Sequence, residues 1–309
     1  MPQCLRKRRV LLVKKPFPMR KRNFALIAAS PLQPSLQALP KSDLSLKLET
    51  VRNSLSLSAP VIVAFSGGVD STLVLKLALD TLGPGRVLAV TGISPSIPLW
   101  EQKEAQALAQ TLDAPFLALD THELDKSDYR LNPNNRCFFC KEELFTLLSK
   151  LAQEKGFNTV VDGTNADDAN DVRPGLAAAR KLNVRSPLLE AGITKAEIRI
   201  LAQEFGLPNW DKPAMPCLSS RVPYGEPISV ERLERIDQAE MAIRSFGFRE
   251  VRVRDHYPTA RIEVPLNDLA RLVSEPTRSS VFERVKQAGY KRVTVDLAGF
   301  KSGSLNADL

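Results

Sequence analysis

Six consecutive residues, Ser66-Gly67-Gly68-Val69-Asp70-Ser71, carry the strongest local chemical signal in the chain. Paired glycines let the backbone come close to an anion. A helix starting just after Gly67 and Gly68 aims its N-terminus and unpaired N–H groups at the same point. Ser66 and Ser71 add hydroxyl donors, and Asp70 is suited to hold Mg2+ on phosphate oxygens. No Gly-Lys-Ser/Thr follows, so the segment is not a Walker A loop. The competing reading is an ordinary glycine turn that caps a helix.

Sulfur is the second chemical element of interest. The cysteines are Cys4, Cys137, Cys140 and Cys217, too few for a disulfide scaffold at 309 residues. Cys137 and Cys140 are spaced C-x-x-C between Arg136 and Lys141, and Cys217 follows Pro216. A lone C-x-x-C is compatible with a redox dithiol, half of a zinc site, part of an iron–sulfur site or plain structural cysteines. Zinc takes four ligands, yet beyond residue 42 there is no fourth cysteine, and His122 and His256 are the only histidines. Three cysteines are enough for a [4Fe–4S] cluster with one iron open to an exogenous ligand such as sulfide.

The elements that must position these residues alternate. A helix is expected at about 44–56. Pro60–Phe65 is a short apolar run, the mark of a strand buried on both faces. Helix Ser71–Leu82, strand Arg86–Thr91, helix Leu99–Leu112 and strand Pro115–Leu119 follow. A long loop with the C-x-x-C comes next, then helix Lys141–Lys155 and strand Thr159–Asp162. This order predicts an α/β fold, a doubly wound parallel sheet. Ligands of such sheets sit at the carboxyl ends of the strands, where Ser66–Ser71 and Asp162–Asp168 both fall. After Tyr224 the order is helix (Ser229–Phe246), two strands (Glu250–Arg254, Ala260–Val264), helix (about Val281–Ala288), strand (Arg292–Asp296). That predicts a second, smaller α+β domain with an antiparallel sheet, ferredoxin-like in order. The division is therefore 1–42, 43–224 and 225–309. Arg252 and Arg254 alternate with valines and share one strand face, which either grips a phosphate or is simply solvated.

Charge bounds the partners. The chain has 43 Lys+Arg against 35 Asp+Glu, a net +8. Residues 1–42 hold ten of the basic residues and no acid, which leaves the body at −2. The basic excess therefore belongs to an N-terminal extension and says little about the substrate. The extension reads as a disordered tail, a misplaced start or a targeting segment, and a nucleic-acid arm ranks behind these. No apolar run is long enough to span a bilayer, so a cytoplasmic enzyme without a membrane partner is expected.

The Ser66–Ser71 hexapeptide between a buried strand and a helix resembles the PP-loop of ATP pyrophosphatases, the adenine nucleotide alpha-hydrolase-like fold. A closer resemblance rests on five motifs in order: F-S-G-G-V-D-S, R-C-F-F-C-K, D-G-T-N-A-D-D with R-P-G, S-P-L-L-E-A-G-I-T-K-A-E-I-R, and W-D-K-P-A-M-P-C-L-S-S-R-V-P-Y-G. From about Asp43 to the C-terminus the chain resembles the ATP-dependent sulfur transferases of the LarE family, which help build the nickel-pincer cofactor of lactate racemase. The resemblance implies ATP and Mg2+ as cofactors, with Gly163, Thr164 and Asn165 beside the nucleotide and Asp168, Asp171 and Arg173 as further candidates; a turn with an Asx or Thr cap is the alternative. It implies adenylation of the carboxylates of pyridinium-3,5-dicarboxylate mononucleotide and replacement of oxygen by sulfur, giving first a thiocarboxylate and then the bis-thiocarboxylate. Cys217 corresponds to the sulfur carrier. Some members have this cysteine alone, sacrifice its sulfur and are left with dehydroalanine. This chain also has Cys137 and Cys140, and so resembles members thought to bind a [4Fe–4S] cluster through three cysteines. The expectation is that sulfide on the open iron is transferred, the contrary being that Cys217 itself is desulfurised. Ser219, Ser220 and Arg221 would shape the cysteine loop, Arg221 would also offset thiolate or phosphate charge, Arg252 and Arg254 would hold the substrate phosphate, and Trp210, Asp211 and Lys212 would line the pocket, the alternative being that Trp210 simply packs. The family also implies a homo-oligomer, a trimer or hexamer.

The principal alternative is a PP-loop tRNA thiolase that uses a three-cysteine iron–sulfur cluster. Its polyanionic substrate calls for a basic body, and this body nets −2. An ammonia-using synthetase leaves the three cysteines unexplained, and a nucleotide sensor would bind ATP without releasing pyrophosphate. A chain beginning near Ser42 is expected to retain sulfur transfer; a shortened protein that folds but is inactive would overturn the view that the extension is dispensable.

Overall fold

A computed structural model of the protein describes residues 41–170 and 174–301. The expectations for the extension up to residue 40, and for Asp171 and Arg173, lie outside the described residues. The described residues belong to one compact unit. Its elements run α1 (Lys41–Ser58), β1 (Val61–Ala64), α2 (Val69–Leu82), β2 (Val87–Ile93), α3 (Leu99–Thr111), β3 (Phe116–Asp120), α4 (Ser127–Arg130), α5 (Arg136–Lys155) and β4 (Thr159–Val161). They continue with α6 (Pro174–Lys181), α7 (Pro187–Glu190), α8 (Lys195–Glu204), α9 (Val230–Arg244), β5 (Arg252–His256), β6 (Thr259–Glu263), α10 (Leu266–Val273), α11 (Thr277–Gln287) and β7 (Arg292–Val295).

The first four strands form a parallel sheet in the order β3-β2-β1-β4. Side chains of β1 alternate between its two faces. Val61 and Val63 pack with Leu73 and Leu77 of α2 and with residues of α1, α3 and α8. Ile62 faces the other way, onto Phe145, Leu148 and Ala152 of α5 and Ala178 of α6. Helices therefore cover both faces, as a doubly wound sheet requires, and each such fully buried aliphatic side chain contributes roughly 1.5–3 kcal/mol.

The second sheet has the order β5-β6-β7. β5 and β6 are antiparallel, as expected, but β6 and β7 are parallel. The sheet is mixed rather than antiparallel, because α10 and α11 form a helical crossover between β6 and β7. A further difference concerns the cysteines. α5 begins at Arg136, so the C-x-x-C lies in its first turn and not in a loop. The i, i+3 spacing places Cys137 and Cys140 on one face of that turn. No helix among the described residues is long and apolar enough to cross a membrane.

A further apolar cluster lies where the two halves meet. Tyr129, Leu218, Val222, Leu233 and Ile236 are buried together, and Phe139 and Cys140 pack against them. Beside it lies a buried ion pair: Arg221 donates to both carboxylate oxygens of Glu240, at 2.8 and 3.0 Å, and each side chain is 1% exposed. Glu240 also accepts from the backbone N–H of Val253 at 2.9 Å. Removing one member of such a pair strands a buried charge, whereas replacing both by apolar groups need not destabilise. Glu240→Ala is expected to cost about 3–5 kcal/mol in urea unfolding, and Arg221→Met/Glu240→Leu to recover most of it; a Glu240→Ala loss below about 1 kcal/mol would contradict this.

Candidate functional site

The Ser66–Ser71 loop leaves the carboxyl end of β1 and enters α2. Gly67 has φ +70, and a Cβ there would stand 3.0 Å from the Ala105 Cβ of α3, so both conformation and space require glycine. The hydroxyls of Ser66 and Ser71 lie 3.2 Å apart, and Ser71 also accepts from the Ser66 N–H at 3.2 Å. Gly68 is the N-cap of α2 and supplies no capping side chain. The first N–H groups of a 14-residue helix thus face the loop beside two serine hydroxyls, an anion-binding arrangement.

The second loop leaves β4 and is organised by Asp162. This buried carboxylate accepts from the Thr164 N–H at 3.1 Å, the Thr164 hydroxyl at 2.8 Å and the Ser186 hydroxyl at 2.7 Å. Asn165 accepts from the N–H groups of Asp167 and Asp168, and its own N–H donates to Asp168. A Cβ on Gly163 would meet the Ser71 N at 2.6 Å and the Asp70 carbonyl carbon at 3.0 Å. Only glycine lets the two loops touch. Ser66, Gly67, Gly68, Asp70, Ser71, Gly163, Thr164 and Asn165 are thereby brought to one end of the sheet. Burial pushes the Asp70 carboxyl up, against the opposing effect of Lys195. Lys195 donates to both Asp70 oxygens, at 2.5 and 2.7 Å.

The sulfur atoms lie on the first turn of α5 and on the segment before α9. Cys137, Cys140 and Cys217 are thiols outside any disulfide; Cys137 is exposed and the other two are half-buried. Burial pushes the Cys140 thiol up, and the charges of Glu123, Cys217 and Cys137 add to this, so the three sulfurs share one electrostatic neighbourhood. Among the described residues, no three His, Cys, Asp or Glu side chains stand in a metal-holding group. The Cys217 loop is anchored by the Leu218 N–H on the Ser96 carbonyl at 2.8 Å. The Tyr129 hydroxyl bonds Ser219 at 2.6 Å and Ser96 at 2.9 Å.

Three arginines surround that loop. Arg221 bonds the carbonyls of Pro216 (2.6 Å) and Cys217 (3.1 Å) and the Ser220 hydroxyl (3.0 Å) besides Glu240, so its donors brace the loop. Arg254 is 3% exposed, clamps Glu263 with two bonds of 2.9 Å and reaches the Ser220 carbonyl at 2.7 Å. Arg252 is 6% exposed and lies 4.2 Å above the Phe300 ring. Burial, then Arg221 and Arg254, lower its pKa to about 10. A solvated strand face is thereby excluded: both arginines are buried.

One segment joins the phosphate loop to the cysteine. Asn209 donates to the Gly67 carbonyl (3.1 Å) and the Thr72 hydroxyl (3.0 Å), and Lys212 reaches the same carbonyl at 3.3 Å and Glu104 at 3.0 Å. Asp211 pairs with Arg249 at 3.6 Å, while Trp210 is 40% exposed. Sequence reasoning missed Lys195, Asn209, Tyr129 and Glu240, whose importance lies in partners distant along the chain. A cavity of about 510 Å³ at the ends of β2 and β3, lined by Ile93, Asp120 and Asp237 among others, contains none of the expected site residues.

The parallel sheet, the glycine loop at its β1 end and the helix behind it define an ATP-using protein of the PP-loop class. The family model described as NAD synthase matches residues 45–138. An uncharacterized protein of Synechocystis sp. is 45% identical over 260 residues, 84% of this chain and 97% of that protein. The pyridinium-3,5-bisthiocarboxylic acid mononucleotide synthase of Lactiplantibacillus plantarum is 39% identical over 249 residues, 81% of this chain and 90% of that enzyme. An uncharacterized protein of Methanocaldococcus jannaschii is 30% identical over 242 residues, 78% and 91% of the two chains. The chain belongs to the LarE family of ATP-dependent sulfur transferases.

Glu101, on the first turn of α3, has a buried Oε1 without a hydrogen-bond partner. Burial pushes its carboxyl up to about 7, partly offset by Lys212, Arg221 and Arg244. The folded form therefore holds the proton more tightly than the unfolded chain, and stability falls as pH rises from about 4.5 to about 7. Glu101→Gln is expected to remove this slope, at most about 3 kcal/mol, in denaturant unfolding followed across that range; an unchanged slope would assign it to another group.

Proposed function

We propose that the protein adenylates the carboxylates of pyridinium-3,5-dicarboxylate mononucleotide and replaces oxygen by sulfur, yielding the bis-thiocarboxylate precursor of the nickel-pincer cofactor. The observation that carries the reading is the continuity of Asn209–Arg221: it bonds the phosphate loop at Gly67 and carries the thiol of Cys217 further along. ATP activation and sulfur delivery are thus built into one segment.

A carboxylate does not expel oxide, so it must first become a mixed anhydride. Its oxygen attacks the α-phosphorus, the bond to the β-phosphate oxygen breaks, and pyrophosphate leaves. The α2 N-terminus, Ser66 and Ser71 hold the phosphates; Asp70 is the Mg2+ ligand, and Gly163, Thr164 and Asn165 flank the nucleotide. Arg252 is the residue we assign to the substrate phosphate, since Arg254 and Arg221 are engaged with Glu263 and Glu240. A sulfur nucleophile then attacks the acyl carbon, the carbon–oxygen bond to AMP breaks, and AMP leaves with the electron pair. A second ATP repeats the sequence on the second carboxylate.

Cys137 and Cys140 on one face of a helical turn, with Cys217 in the same electrostatic neighbourhood, are a thiol set whose chemistry suits a [4Fe–4S] cluster. Bound there, it would supply an open iron able to carry exchangeable sulfide. Cys217 is the residue closest in role to the transferred sulfur, and Arg221 holds its carbonyl in place. Family membership supports a trimeric or hexameric assembly.

The decisive assay supplies ATP, Mg2+, sulfide and the pyridinium mononucleotide to anaerobically reconstituted protein. Release of AMP and pyrophosphate with a mass gain of sulfur for oxygen is expected. Cys217→Ala should lose sulfur transfer while pyrophosphate release stays within about threefold. Loss of hydrogen sulfide from Cys217 without any cluster would overturn the cluster assignment, and sulfur in bulk tRNA instead of the nucleotide would overturn the substrate.

A further inference from the structure

Lys195 lies at the first position of α8, where nothing in the motif chemistry required a cation. Thr194 caps the helix with a full capping box to Glu197. The Lys195 N–H donates to Asp167 at 2.7 Å, on the second nucleotide loop. Its ammonium sits 2.5 and 2.7 Å from the two oxygens of Asp70, on the first. Asn165 closes the same group with a 3.5 Å contact to Asp70. One turn further along α8, Arg199 donates to the carbonyls of Trp210 and Lys212, at 3.0 and 3.1 Å. One helix face therefore touches both nucleotide loops and the segment that leads to Cys217.

The geometry creates a competition. A hard divalent cation seeks carboxylate oxygens, and both oxygens of Asp70 already accept charge-assisted bonds from Lys195. A metal on Asp70 and the ammonium at hydrogen-bonding range repel each other, strongly so at a partly buried group. A bare cation must displace Lys195 and leave its charge unpaired. A metal arriving on a triphosphate brings anionic oxygens that accept the displaced ammonium.

We infer that Lys195 is a positioning residue that makes divalent-metal binding at Asp70 conditional on the nucleotide, by holding the carboxylate until phosphate oxygens replace it as the ammonium's partner. This rests on the Ser66–Ser71 loop binding ATP, as proposed above. The exchange breaks no covalent bond.

The test measures free Mn2+ by EPR over the full-length protein, with and without the α,β-methylene analogue of ATP, and checks folding by circular dichroism. Wild type is expected to bind Mn2+ tightly only with the analogue. Lys195→Met should bind Mn2+ alone at least about tenfold more tightly than wild type, and Asp70→Asn/Lys195→Met should lose that gain. Lys195→Gln serves in place of the methionine variant should the latter fail to fold, and Lys195→Arg, which keeps the charge, should behave as wild type. A neutral, folded variant whose Mn2+ affinity without nucleotide is unchanged would overturn the inference while leaving ATP binding intact. Failure of wild type to bind either the analogue or Mn2+ with it would instead overturn the functional proposal.

Discussion

The contact between Gly163 and the start of α2 is the constraint on which the site depends. The nearest atoms to a side chain at Gly163 would be the backbone of Ser71 and Asp70, which cannot move without unwinding the helix N-terminus. Because that position is glycine, the loop after β4 closes onto the loop after β1. Asp162 then organises the rest of the second loop by accepting from Thr164 and Ser186, and Lys195 ties it to Asp70. A side chain at this one point would separate the two halves of the nucleotide site.

The sulfur side is held by a different force. Arg221 spends its donors on Glu240, on the carbonyls of Pro216 and Cys217, and on Ser220. A buried guanidinium is stable only when its donors are matched in this way. The loop that carries Cys217 is thus fastened to α9, and through Glu240 to β5. Arg252 differs from its two neighbours: its visible partner is the face of Phe300, and its proton affinity is lowered by burial and by the other two arginines. A cation held in that environment gains from an anion more than the paired arginines do.

Phosphate and sulfur ends are coupled by short-range bonds, not by proximity alone. Asn209 and Lys212 reach the Gly67 carbonyl from the start of the segment that later presents Cys217. The junction cluster of Tyr129, Leu218 and Val222 fills the space behind it, with Cys140 at its edge. The small mixed sheet and its helix therefore brace the cysteine loop, since Glu240 of α9 pairs with Arg221 and Arg254 of β5 reaches the Ser220 carbonyl.

Local patterns determined much of this from the sequence alone. The continuous apolar β1, the glycine-serine hexapeptide and the strand–helix alternation specified a parallel sheet with its anion site at the β1 end, because burial on both faces and backbone freedom are properties of adjacent residues. The motif order likewise identified the family. Where local signals were ambiguous, tertiary structure decided. The C-x-x-C entered a helix because α5 packs on the sheet from its first turns; β7 turned parallel because two helices intervene before it. Arg252 and Arg254 became buried because β5 lies under the cysteine loop, which alternation with valine could not reveal. Lys195 stands far from Asp70 in sequence, and Glu240 lies on a different element from Arg221; pairing over such distances is set by how the layers pack, a property that no short stretch of residues contains.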